Sequence, residues 1–241
     1  MRLQLSIFGI PVRIQPWFFL TVLLIGGIDR PMAAAAIWVV AAFLGVLLHE
    51  LGHAVTCIAF GYRPEIELVA MGGVTRWRRA GPLPPLRHLV ISAAGPLTGI
   101  VAGGLCLVLL RAVQPAPGTL AGAALSDLVW VNLGWGVLNL LPVLPLDGGN
   151  IATSLAEMVF GPRGRVVARW ISLAVTVVLA LLLVKAGQLW LTILCVYLAA
   201  INWRSLQAEQ SRGAAGSAAA GAWTAEAHDP EANLARLEET A

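Results

Sequence analysis

Apolar residues run along this 241-residue chain in long blocks, without the spaced stripes of a helix that keeps one face wet. Set against the roughly 20 residues needed to cross a bilayer, the blocks predict helices at about 15–28, 33–60, 86–111, 124–144, 166–185 and 188–203, the first and last being short. Between the second and third blocks the period changes. The stretch GYRPEIELVAMGGVTRWRRAGPLPP opens on a turn, alternates as EIELVAM, breaks at Gly72–Gly73 and resumes as VTRW. That pattern is strand, turn, strand. The opening residues MRLQLSIFGIPVRIQ also alternate like a strand and lack the unbroken apolar core of a cleavable signal peptide. The predicted class is an all-α polytopic membrane protein of about six transmembrane helices with a small β-hairpin.

Composition agrees. Hydrophobic residues make up 58% of the chain and charged ones 12%, about half the charged share of a soluble domain. The net charge of +3 does not describe a nucleic-acid surface, because the basic residues stand singly or in short clusters between apolar blocks. They read as topology signals. With six spans, Arg2, Arg13, Arg63, Arg76, Arg78, Arg79, Arg87, Arg163, Arg165, Arg169, Arg204, Arg212 and Arg236 share one side, and Arg30, Arg111 and Lys185 the other. Thirteen of the 16 basic residues on one side place both termini in the cytoplasm. The membrane-embedded domain is therefore expected over 1–203, followed by a cytoplasmic tail over 204–241. In the tail, GAAGSAAAGAW reads as a flexible linker and DPEANLARLEET as a short helix with an Asp cap and Pro at its first position.

One block contains groups that lipid should reject. LGVLLHELGHAVTCIAF places His49, Glu50 and His53 in the middle of an apolar helix, where an acidic side chain costs about 2.5–3.5 kcal/mol. Residues four apart stack on one helical face, so His49 and His53 can grip one metal ion, and Glu50 can reach a metal-bound water as a general base. A zinc site needs a third protein ligand. The candidates are Asp127, near the outer start of the fourth span, Glu157, beyond that span's break, and Asp147 in NLLPVLPLDGGNI. Pro142 and Pro145 break the helix, Gly148–Gly149 let the backbone bend, and irregular backbone at membrane depth is tolerated where it lines an enclosed cavity. The second and fourth spans run the same way, which matches the depth of Asp147 to that of His49. Asp147 is the expected third ligand.

HELGH, ISAAGPLTG and NLLPVLPLDGG, in that order on alternate spans, resemble the site-2 protease family of intramembrane zinc metalloproteases over roughly residues 5 to 203. The resemblance implies a three-helix catalytic core in spans two to four, a membrane-associated hairpin at 62–79, and one zinc ion per chain. It also implies that Asn139, eight residues before Asp147, binds substrate or stabilises the oxyanion. With no inserted PDZ and no appended CBS domain in sight, the chain looks like the compact bacterial members, among them those that cleave sporulation transcription-factor precursors. Gly95-Pro96 is followed by Leu97, Thr98 and Gly99 in place of the family's Asn, so span three is assigned to packing.

The expected activity is hydrolysis of a peptide bond in a membrane-embedded or membrane-associated protein, with the lipid bilayer as the other partner and no nucleic acid. The oligomeric state is open. A membrane metal-ion transporter would also bury His, Glu and Asp, but it calls for polar residues continuing to both faces, and none lies between Ala33 and Leu48. A catalytically inactive scaffold of the same fold is the other alternative.

Overall fold

The computed structural model describes residues 3–78 and 83–227. The chain divides into two compact units, Met1–Ile171 and Ser172–Ala241.

The first unit begins with alternation that needs a cover. In β2 (Ile10–Ile14) the side chains of Ile10, Val12 and Ile14 are buried and those between them are not, the period-two signature of a strand with one wet face. Its antiparallel neighbour is β1 (Leu3–Ile7), joined through Phe8 and Gly9, both at positive φ. After α1 (Pro16–Gly26) and α2 (Met32–Ala59), the chain returns as β3 (Arg63–Val69) and β4 (Gly72–Arg78). β3 lies parallel to β2, with Val12 opposite Ile66 and Ile14 opposite Leu68. The expected lone hairpin is therefore half of a four-stranded sheet ordered β1-β2-β3-β4. The reason is burial: Ile10, Val12, Ile14, Ile66 and Leu68 form one apolar face that packs on Val46, Leu47 and Ala54 of α2. The sheet thus sits beside the HELGH turn of α2. The hairpin's turn also differs by a step, being Ala70–Met71, so that Gly72 and Gly73 open β4.

Among the described residues, four stretches are long and apolar enough to cross a membrane by length and composition. They are Met32–Ala59, Pro85–Val113 (α3), Leu120–Asn139 and Asp147–Lys185. Two of the six predicted blocks, the first and the last, fall short of that length and composition. α1 has 11 residues, which at 1.5 Å each reach about 16 Å, half of a ~30 Å hydrocarbon core. The last apolar block opens α8 (Leu189–Ala227), where Asn202, Arg204 and Gln207 cut it short. The third stretch is α4 (Leu120–Val129), a π turn over Trp130–Gly134, and α5 (Trp135–Asn139). The fourth is α6 (Asp147–Phe160), a 3-10 turn over Gly161–Arg163, and α7 (Gly164–Lys185). Along α2, Val40, Leu44, Leu48, Val55 and Ile58 make an exposed apolar stripe while His49, Glu50 and His53 are buried. The apolar side of the helix meets lipid and the ionisable side meets protein, which is how a membrane helix tolerates such groups.

The second unit holds the rest of α7 from Ser172 and α8. α8 continues through residues 213–223, the stretch read as a flexible linker. Alanine dominates there, and no residue has a higher helix propensity. The short helix expected at 229–240 lies outside the described residues.

Candidate metal centre

The HELGH turn begins ten residues before the end of α2 and puts both imidazoles on the face that meets α3 and α6. His53 Nδ1 lies 2.6 Å from the carbonyl oxygen of Ile91 on α3. A carbonyl only accepts, so Nδ1 carries the proton and the neutral ring presents the lone pair of Nε2. That Nε2 lies 3.2 Å from His49 Nε2. Asp147 completes the group. It is the first residue of α6, and its Oδ2 lies 2.9 Å from His49 Nε2 and 3.3 Å from His53 Nε2.

These distances test whether a zinc ion fits. Tetrahedral ligands with bonds of 2.0–2.1 Å stand about 3.3–3.4 Å from one another. The observed triangle has edges of 2.9, 3.2 and 3.3 Å. A cation at their centre would meet all three atoms at once. The residues fit the metal. Atoms of His49, Glu50 and His53 also lie within 4.8 Å of one another, so Glu50 competes with Asp147 for the third place. Asp147 is nearer to both imidazoles, and Glu50 Oε2 is taken by the Thr75 hydroxyl at 2.6 Å.

The loop before Asp147 explains its two glycines. α5 ends at Asn139, residues 140–146 are irregular, and α6 restarts at Asp147. A side chain on Gly149 would stand 2.5 Å from Leu144 N and 2.6 Å from Val143 C, and one on Gly148 would strike Leu140 and Leu141. Both residues are helical, so their task is close approach of the loop, where the sequence had read a bend. The other two ligand candidates are occupied elsewhere. Asp127 accepts two bonds from Arg30 at 2.8 and 2.9 Å, and Glu157 accepts from Arg165 Nε at 2.5 Å.

A cavity of about 370 Å³ opens on the cluster and is lined by His49, Glu50, His53, Asp147, Asn139 and β4 residues, among others. Asn139 is buried, and one N–H of its amide bonds Trp135 O at 3.0 Å, leaving the second N–H. Four neighbours escaped the sequence reading. Gly95 of α3 lies over the imidazoles, so that span three, assigned to packing, walls the metal position itself. Gly73, read as a turn glycine, leaves room for the Glu50 carboxylate, and Thr75 bonds it. His88 lines the cavity with Nδ1 held 3.0 Å from the buried hydroxyl of Ser154. Of these, only the glycines of ISAAGPLTG and GGVT carried a signal, and glycine alone does not say what approaches it.

With this geometry in hand, three comparisons with known proteins agree. The family model of Peptidase family M50 matches residues 119–183, a segment that contains Asn139 and Asp147 but not the HELGH turn. A zinc metalloprotease of Methanocaldococcus jannaschii is 33% identical over 161 residues, 65% of this chain and 45% of that one. Stage IV sporulation protein FB of Bacillus subtilis is 31% identical over 113 residues, 44% of this chain and 35% of that one. A Synechocystis sp. relative aligns over 228 residues at 29% identity, 84% of this chain and 57% of that one. The chain thus spans about half the length of the first two curated relatives it matches. The solved structure of a site-2 protease from Methanocaldococcus jannaschii superposes with a TM-score of 0.60 at 24% identity, covering 86% of this chain and 95% of that one, which establishes the shared fold. The resemblance expected from the sequence is thus matched by a family model over part of the chain, by curated relatives and by a shared fold.

Proposed function

We propose that this chain is an intramembrane zinc endopeptidase that hydrolyses a peptide bond of a membrane-embedded or membrane-associated protein, the chemistry of regulated intramembrane proteolysis. The observation that carries the reading is the convergence of three potential ligand atoms, on His49, His53 and Asp147, beside the buried carboxylate of Glu50. In this reading those three residues hold one zinc ion per chain. Zinc, when bound, supplies a Lewis acid that brings the pKa of water down towards ~7. Glu50 takes the proton of the attacking water and later delivers it to the leaving amine. Asn139 offers its second amide N–H to the substrate carbonyl as negative charge develops there. β4 has a partner on one side only among the described residues, so its other edge can receive an extended peptide. A helical substrate hides its scissile bond in its own hydrogen bonds and must unwind to reach that edge.

Two measurements test the reading. Metal analysis of the purified protein should find close to one zinc per chain, and His49→Ala, His53→Ala and Asp147→Ala should each lower it; full occupancy in Asp147→Ala would remove the third ligand. Glu50→Gln keeps the shape but accepts no proton, so it should retain zinc and lose cleavage by at least about a hundredfold. Wild-type cleavage by that variant overturns the mechanism.

A further inference from the structure

We infer that Thr75 is a positioning residue for Glu50, and that through it the strand offered to the substrate also sets the general base. The inference rests on the proposed protease reading and deepens it. The Thr75 hydroxyl lies 2.6 Å from Glu50 Oε2 and 3.2 Å from the Glu50 carbonyl oxygen. A hydroxyl has one proton, and the shorter, charge-assisted bond to the carboxylate takes it. One carboxylate oxygen is thereby occupied, and the other is left to receive the proton of water.

The contact is built on both sides. Gly73, two residues earlier and so on the same face of β4, lies against the same carboxylate. A side chain there would stand 2.5 Å from Glu50 Oε1 and 2.6 Å from Cδ. The pair Gly73 and Thr75 therefore forms a seat into which the Glu50 carboxylate drops, with the missing Cβ as the recess and the hydroxyl as the latch. Glu50 is 4% exposed, which leaves the bond little competition from bulk water. Both seat residues also line the cavity and belong to the strand with the open edge. A peptide added along β4 orders the seat, and the seat orders the base, so docking and chemistry share one element.

The test uses the full-length protein in detergent and an internally quenched peptide carrying one apolar span interrupted by Gly-Pro, chosen from a library as cleaved by the wild type. Thr75→Val keeps the shape and removes the donor. It should lower kcat by about ten- to a hundredfold, the loss of one charge-assisted bond, with KM within about twofold and zinc content unchanged. Thr75→Ser should restore most of kcat. Hydrogen exchange should quicken at residues 72–78 in Thr75→Val and Glu50→Ala alike, with no further gain in the double variant. Should Thr75→Val lose zinc, Thr75→Ala carries the same comparison. Wild-type kcat in Thr75→Val, a change confined to KM, absence of rescue by serine, or additive exchange in the double variant overturns the inference. Inactive Glu50→Gln beside fully active Thr75→Val sinks only the role of Thr75, whereas active Glu50→Gln sinks the protease mechanism beneath it.

Discussion

At the scale of single residues, the cluster depends as much on what is missing as on the ligands. Gly95 has no side chain where α3 crosses the HELGH turn. A methyl there would stand 2.5 Å from His53 Cε1 and 2.8 Å from His49 Nε2, inside the space where the ligand atoms converge. Gly95→Ala should therefore weaken zinc binding by about ten- to a hundredfold, the scale of outer-shell effects on metal sites, while the helices remain. Competition titration against a chromophoric chelator measures this, and wild-type affinity would show that α3 yields at no cost. His53 illustrates the complementary device. Its bond to Ile91 O sets the tautomer, so the lone pair faces the metal position before any ion arrives. Among the described residues His49 Nδ1 is buried with no such partner, and His53 is accordingly the better oriented of the two.

At the scale of elements, the fold separates two polar clusters along α2 and α4–α5. The HELGH turn and Asn139 lie towards one end, and Arg30, Asp127 and Trp38 towards the other. Arg30 grips the carboxylate of Asp127 with two bonds and lies 4.9 Å from the Trp38 ring centroid, tying the α1–α2 connection to α4. The Asp127 side chain is 8% exposed, so removing Arg30 strands a buried charge. Arg30→Ala should destabilise the protein by about 2 kcal/mol, less than the cost of breaking a fully buried pair because the guanidinium is partly wet. Arg30→Ala combined with Asp127→Asn should recover at least half of that, because the stranded charge is gone. Thermal unfolding of the two variants decides it: equal losses would mean that the pair acts by its shape and not by its charge.

At the scale of the whole molecule, the governing solvent is lipid, and orientation follows from charge. The charge asymmetry read from the sequence predicts the sheet and the 3-10 turn at Gly161–Arg163 on the cytoplasmic side and the α1–α2 and α3–α4 connections outside. Cysteines placed at the exposed positions Arg63 and Arg163, on a background lacking Cys57, Cys106 and Cys195, should resist an impermeant thiol reagent in intact cells. Cysteines at Asp29 and Ala116, also exposed, should label. The reverse pattern would invert the protein and turn the entrance of the site away from the cytoplasm. The two units of the chain, Met1–Ile171 and Ser172–Ala241, differ in the same sense. The cluster and the sheet belong to the first, and α8 in the second passes from an apolar block into an alanine-rich polar one.

The sequence by itself determined the solvent, the helical frame and the place of the cluster. Those properties are local: an apolar block is long or short, and two histidines four apart share a face whatever surrounds them. Asp147 was legible because few acidic residues sit at membrane depth and only one stands in a broken helix. Only the tertiary structure decided the rest. It paired β2 with β3 across the whole of α2, gave Asp127 to Arg30 and Glu157 to Arg165, and turned Gly73, Thr75 and Gly95 into the walls of the site. Each of these is a contact between residues far apart in the chain. Such contacts arise from which faces need burial against which neighbours, and no local period records that choice.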